Sequence, residues 1–133
     1  MTRRMTACLL LLLGLYAAPA AASDWAWVMS VPHAISDQNT YKVRILEIDG
    51  EPQRELLRYP VSPGRHEVVV ELMLVLEWEP DLREGGPVPA VKRIEVQAEG
   101  GRSYLLAGKV DVDAPAESQL DQSYWEPFVY AVQ

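Results

Sequence analysis

The chain has 133 residues with 12 Lys and Arg against 19 Asp and Glu, a formal charge of −7. That balance disfavours nucleic acid and anionic membrane surfaces as partners, since both are themselves negative. The only cysteine is Cys8, so disulfide stapling and thiol catalysis are excluded from everything that follows it.

The first 22 residues read as a secretory leader. Arg3 and Arg4 form a positive start, Leu9 to Tyr16 an apolar stretch, and Ala20-Ala21-Ala22 a small-residue cleavage site. The uncharged span is shorter than the ~20 residues that a membrane-crossing helix needs. The rest of a twin-arginine signal is missing, which favours general secretion. Cys8 precedes the apolar stretch and leaves with the leader, so it is misplaced for lipid attachment. Residues 1–22 carry two basic residues and no acid, which leaves 10 basic and 19 acidic residues, a charge of −9, in a domain expected over 23–133. Such a protein is expected in the periplasm or outside the cell, touching the membrane only through the leader.

The elements follow in chain order. Asp24 to Val31 alternates Trp25, Trp27, Met29 and Val31 against smaller residues and reads as a strand stopped by Pro32. His33 to Thr40 is a polar connection. Tyr41 to Ile48 is apolar on both faces, with Leu46 and Ile48 on one and Tyr41, Val43 and Ile45 on the other, as in a central strand. Asp49-Gly50 is a strong hairpin turn. Arg54 to Tyr59 is a weaker strand, and Ser62-Pro63-Gly64-Arg65 turns it into the longest run of the chain. From His66 to Trp78, alternate positions are His66, Val68, Val70, Leu72, Leu74, Leu76 and Trp78. Period-2 alternation with β-branched residues predicts a strand with one buried face. Glu79 to Ala90 has three prolines and two glycines and reads as a loop. Val91 to Ala98 and Ser103 to Val112 are strands on either side of Glu99-Gly100-Gly101-Arg102. Ala114 to Ser123 connects them to a last strand, Tyr124 to Val132, which Pro127 assigns to an edge or a bulge.

About seven short strands, with turns every ten residues or so and no convincing helix, predict an all-β fold. The expected form is an antiparallel β-sandwich of immunoglobulin-like or transthyretin-like type.

Three stretches carry a family resemblance. They are Val43-x-Ile45-x-x-Ile48-Asp49-Gly50, Val61-Ser62-Pro63-Gly64-Arg65-His66-x-Val68-x-Val70, and Gly100-Gly101-x-x-Tyr104-x-Leu106. Together they resemble PEGA-like domains and related small β-domains of bacterial envelope proteins, over roughly residues 41 to 110. The chain departs from that pattern in its long acidic strand, its Pro-Gly loop and its Trp-Glu-Pro-Phe tail. The resemblance implies a β-sandwich with an accessory or interaction role, and it brings no catalytic residue.

The residues themselves point the same way. A Ser-His-Asp mechanism would need His33 or His66 poised beside an exposed serine, and no serine has the nucleophile-elbow glycine pattern. No cofactor motif is present. Glu77, Glu79 and Asp81 form one acidic group and Asp111 and Asp113 another. Carboxylates suit calcium, but neither group has EF-hand spacing, and a solvated strand face explains them. Of the four tryptophans, Trp27 and Trp78 are expected in the core, while Trp25 and Trp125, nearer the chain ends, are expected to be partly exposed and available to a partner or a sugar. Tyr104, after Gly100-Gly101, is expected to bond back to that turn through its hydroxyl. On the outer face of the long strand, Val69, Met73 and Val75 interrupt the acids and form a candidate interaction patch. The expected role is a non-enzymatic envelope domain that contacts another envelope protein. The alternative is a small-ligand module using exposed aromatics for glycan or the acidic groups for calcium.

Overall fold

A computed structural model describes residues 24–73 and 90–133. The predicted leader and the Glu79–Ala90 loop (save Ala90) lie outside the described residues, as does the predicted strand beyond Met73.

The described chain is all-β. Its strands are β1 (Ala26–Ser30), β2 (Thr40–Tyr41), β3 (Val43–Ile48), β4 (Glu51–Pro52), β5 (Tyr59–Val61), β6 (Gly64–Leu72), β7 (Val91–Ala98), β8 (Ser103–Val110) and β9 (Trp125–Val132). One short helical turn, α1 (Ser118–Asp121), precedes β9. They form two sheets. The first holds β5, β1, β8 and β9, with β2 also paired to β8, and the second has the order β4-β3-β6-β7.

Alternation builds one core between the sheets. Ala26, Val28, Tyr59, Val61, Tyr104, Leu106, Val110 and Trp125 from the first sheet meet Val43, Ile45, Ile48, Val68, Val70, Leu72, Val96 and Ala98 from the second. His66, Val68, Val70 and Leu72 lie on one buried face of β6, as their period-2 spacing requires. A smaller cluster of Val31, Leu105 and Ala107, with Met29, Phe128 and Ala131, occupies the other face of the first sheet.

Several expectations are corrected. The run Tyr41 to Ile48 is not one strand. Thr40–Tyr41 pairs with β8 in the first sheet, while Val43–Ile48 pairs with β6 in the second. The chain crosses between sheets at Lys42, and the Val43 N–H donates to Ser30 Oγ (3.0 Å) across that step. The expected face assignment within β3 also fails. A register shift between Ile45 and Glu47 turns Ile48 back to the side of Val43 and Ile45, which is what an extra residue in a strand does. Arg54 to Tyr59 is not a strand, because Tyr59 folds 54–56 into a loop around its own hydroxyl. Two edges, β4 and β5, replace the single weak strand. Val112 lies beyond β8 and is exposed.

The pairing is antiparallel except that β1 runs parallel to β8, with Trp27 beside Ser103 and Ser30 beside Leu106. A parallel pair needs a long crossover, and here the whole second sheet lies between the two strands. The remaining turn signals hold. Asp49 and Gly50 both have positive φ (52° and 80°), the signature of a type I′ hairpin. Tyr104 Oη accepts the Glu99 N–H at 2.7 Å. β9 is an edge strand with a register shift opposite Leu105/Leu106.

Candidate functional site

The β3–β4 turn, the 53–58 loop and β5 enclose a groove of about 570 Å³ at one end of the two sheets. Its floor is His66, the first buried side chain of β6. Its rim carries Trp25, Arg54, Leu56 and Pro60.

His66 is held at both ring nitrogens. Nδ1 lies 2.6 Å from Asp49 Oδ2, and Nε2 lies 2.6 Å from the Ser62 backbone carbonyl. A carboxylate and a carbonyl only accept, so both nitrogens must donate, and that is the charged imidazolium. Burial alone would push the imidazole down, but its bonds to Asp49 and Ser62 lift it above the ordinary histidine value. Asp49 is held below the usual carboxylate range by its bond to His66 and by the Glu67 N–H donated to Oδ1 (2.9 Å). The Asp49 N–H in turn donates to the Glu67 carbonyl (2.8 Å). The unit therefore latches the β3–β4 turn to both ends of the 62–66 turn. A general base needs a free lone pair, and this histidine has given both nitrogens to structure. His33 lies apart, exposed in the connection after β1.

Tyr59 shapes the wall. Its ring is in the core, while its hydroxyl donates to the Arg54 carbonyl (2.8 Å) and accepts the Leu56 N–H (2.9 Å). One phenol thus folds the loop that presents Arg54 and Leu56. Tyr59→Phe is expected to cost about 1–2 kcal/mol, two hydrogen bonds less what water restores. Hydrogen exchange should show faster exchange confined to 53–58, and uniform protection across that loop would argue against this role.

Trp25 is set by its backbone. Its carbonyl accepts the Gly101 N–H (3.1 Å), and the Trp27 N–H donates to the Arg102 carbonyl (2.9 Å). A side chain at Gly100 would meet Asp24 backbone O at 2.7 Å, so the glycine lets the chain start lie flat on that turn. Trp25 remains 46% exposed. Trp27 is half-buried on the outer face, with the Arg58 guanidinium 4.2 Å above its ring, an attraction that lies outside the core where the ring was expected.

The other sequence candidates separate. Trp125 is 1% exposed, which corrects its reading as a surface residue. Its ring fills the space above Gly108, and its Nε1–H donates to Gln122 Oε1 (3.1 Å). Val69 is 9% exposed, so it offers little to a partner. Arg93 stands across from it on β7, and the ion pairs Arg93–Glu67 (2.8 Å) and Arg44–Glu71 (2.6 Å) flank it. Met73 is exposed. Val75, Glu77, Glu79 and Asp81 lie outside the described residues. Asp111 and Asp113 are exposed, and Asp111 Oδ1 is occupied by the Asp113 N–H (3.1 Å). Among the described residues, no three His, Cys, Asp or Glu side chains converge as a metal set, and no helix is long and apolar enough to cross a membrane. Sequence reading anticipated Trp25 but missed the groove, whose only local signals were Asp49-Gly50 and the histidine after the Pro-Gly turn.

Compared with family models, curated proteins and solved structures, the chain matches none.

Proposed function

We propose that this chain is an exported, non-enzymatic accessory domain of the bacterial envelope that holds a segment of another envelope protein in the groove beside Trp25. The observation that carries this is the rim itself. A half-exposed tryptophan and Leu56 stand over a groove of about 570 Å³, and the next residue, Leu57, is 96% exposed. Large apolar side chains left in water beside a concave site are the residues that anchor partners. The positive leader followed by an apolar stretch supports export. The likeness of the turn and core motifs to PEGA-like domains supports an accessory role, and two sheets around one core support a sandwich of immunoglobulin-like or transthyretin-like type.

A photo-crosslinking amino acid at Leu56 is expected to yield a discrete adduct in the envelope. Trp25→Ala should reduce that adduct at least tenfold, about 1.4 kcal/mol or more for a buried aromatic anchor, with the melting temperature unchanged. No adduct at Leu56, or one indifferent to Trp25→Ala, would sink the reading. Val69 is unsuitable for such a test, because lysine there would bury an ammonium.

A second reading rests on the same ring. Trp25 beside a groove within the ~300–1,000 Å³ range of small-ligand sites also suits a sugar face. Oligosaccharide titration would then shift tryptophan fluorescence in the parent and not in Trp25→Ala.

A further inference from the structure

The two sheets have five outer strands among the described residues: β2, β5 and β9 in the first, β4 and β7 in the second. The two-residue β2 is already bridged on its far side by Ile35, whose N–H donates to the Thr40 carbonyl (2.8 Å). Three of the five carry a proline, and each proline turns the same way. Gln53 N–H donates to the Leu46 carbonyl (2.8 Å), so Gln53 faces β3 and its neighbour Pro52 faces outward. Trp27 N–H donates to Arg102 of the β8 side, so its partner on β5, Pro60, faces away from β1. Val110 N–H donates toward Asn39, so Gly108 also faces β2, and its partner Pro127 faces away from β8. The missing N–H therefore lies on the open side at β4, β5 and β9, where it blocks the addition of another strand.

β7 is different. Its eight residues include no proline or glycine. Leu72 N–H donates to the Ala90 carbonyl (2.8 Å), which points the even-numbered residues at β6 and turns the backbone groups of Val91, Arg93, Glu95 and Gln97 outward. Among the described residues no strand pairs with that side.

The side chains along it choose a partner. Arg93 and Glu95 are exposed on the outer face. Glu95 stands directly opposite Glu67 of β6, a like-charge pair that diagonal bridges offset, Arg65–Glu95 (2.8 Å) and Arg93–Glu67 (2.8 Å). We propose that β7 pairs antiparallel with β7 of a second copy of this chain, about a two-fold axis at Ile94. In that register Arg93 lies opposite Glu95 of the second copy, Glu95 opposite its Arg93, and Val91 opposite its Gln97. Every outward backbone group then finds a partner. Shifting the axis by one residue sets Arg93 against Arg93 or Glu95 against Glu95, which costs cross-strand repulsion. The edge is thus self-complementary in one register, and the two second sheets become one continuous sheet. Charged edges repel arbitrary strands, and this one excepts its own copy. β7 is at the opposite edge of its sheet from β4 and the groove, so both surfaces can be occupied together.

Sedimentation of the purified protein tests this. A strand pair alone is at the small end of specific interfaces, so the average mass is expected to rise from one chain to two between about 1 and 500 μM. Arg93→Pro removes one outward N–H and leaves every backbone β6–β7 hydrogen bond in place, losing only the exposed Arg93–Glu67 pair, so it should stay monomeric with its circular dichroism unchanged. Arg93→Glu and Glu95→Arg should each be monomeric alone and dimerise when mixed, because the mixture restores opposite charges at both sites. A wild-type chain that remains monomeric overturns the proposal. So does a dimer that survives Arg93→Pro, and a mixture that fails to associate overturns the register.

Discussion

Trp125→Ala is expected to cost about 3–5 kcal/mol, as removal of a large aromatic from a packed core does. That is about a fifth or more of the 5–15 kcal/mol that holds an ordinary domain together. The ring is enclosed between the sheets, and Leu72 from β6 and Trp125 from β9 converge on the same backbone atom. A methyl group on Gly108 would stand 2.5 Å from Leu72 Cδ1 and 3.2 Å from Trp125 Cε3. Gly108→Ala is therefore expected to destabilise as well, by about 1–3 kcal/mol of overpacking. The two costs should not add, because the truncation vacates part of the space that the methyl group needs. Urea unfolding of the two single variants and the double variant measures this directly. A Trp125→Ala midpoint close to that of the parent would mean that the ring is not the core residue it is taken to be. Additive costs in the double variant would mean that Gly108 and Trp125 do not share one space.

The latch between Asp49 and His66 is expected to make stability fall as pH rises above neutrality. His66 binds its proton more tightly folded than unfolded. Its contribution is therefore complete below the unfolded value of 6.5 and is lost as pH climbs through the higher folded value. Asp49 has the opposite sign. Its carboxyl is held below 3.8, so its contribution is present above that value and is lost as acid takes pH through the lower folded one. The latch is thus fully engaged between about pH 4 and 6.5. A charge-assisted hydrogen bond contributes about 1.5–3 kcal/mol, and this one belongs at or below the lower end because the Asp49 side chain is 49% exposed. Melting temperature should fall by about 5 °C from pH 6 to pH 8.5 in the parent. It should fall less in His66→Gln, which cannot titrate, and less in Asp49→Asn, which has no carboxylate to lift the histidine. A parent as stable at pH 8.5 as at pH 6, or one whose slope survives both substitutions, would contradict the latch.

These two sites show what local pattern carries. The buried face His66-Val68-Val70-Leu72 was legible because the strand repeat is written in neighbouring residues. Asp49-Gly50 was legible because positive φ is a property of those two residue types, and the Tyr104 bond because it closes within five residues. Trp125 was misread because its burial depends on a missing side chain at Gly108, on the next strand. The β3 faces were misread because one extra residue inverts the alternation after Ile45. The groove was missed because Trp25, Tyr59 and His66 are brought together by pairings that no short window contains. The parallel pair was missed because strand order is decided by the whole chain.

That parallel pair bears on how the molecule comes together. Ala26–Ser30 is the first strand of the described residues, yet one of its two neighbours in the sheet is Ser103–Leu106. A chain delivered from its beginning by a ribosome presents this strand some seventy-five residues before its companion. Throughout that interval the first sheet has a gap at its centre, and the ring of Trp125 that seals the interior has yet to arrive. Closure thus waits for Ser103–Val110 and for Trp125, which are the last parts of the described core to be made.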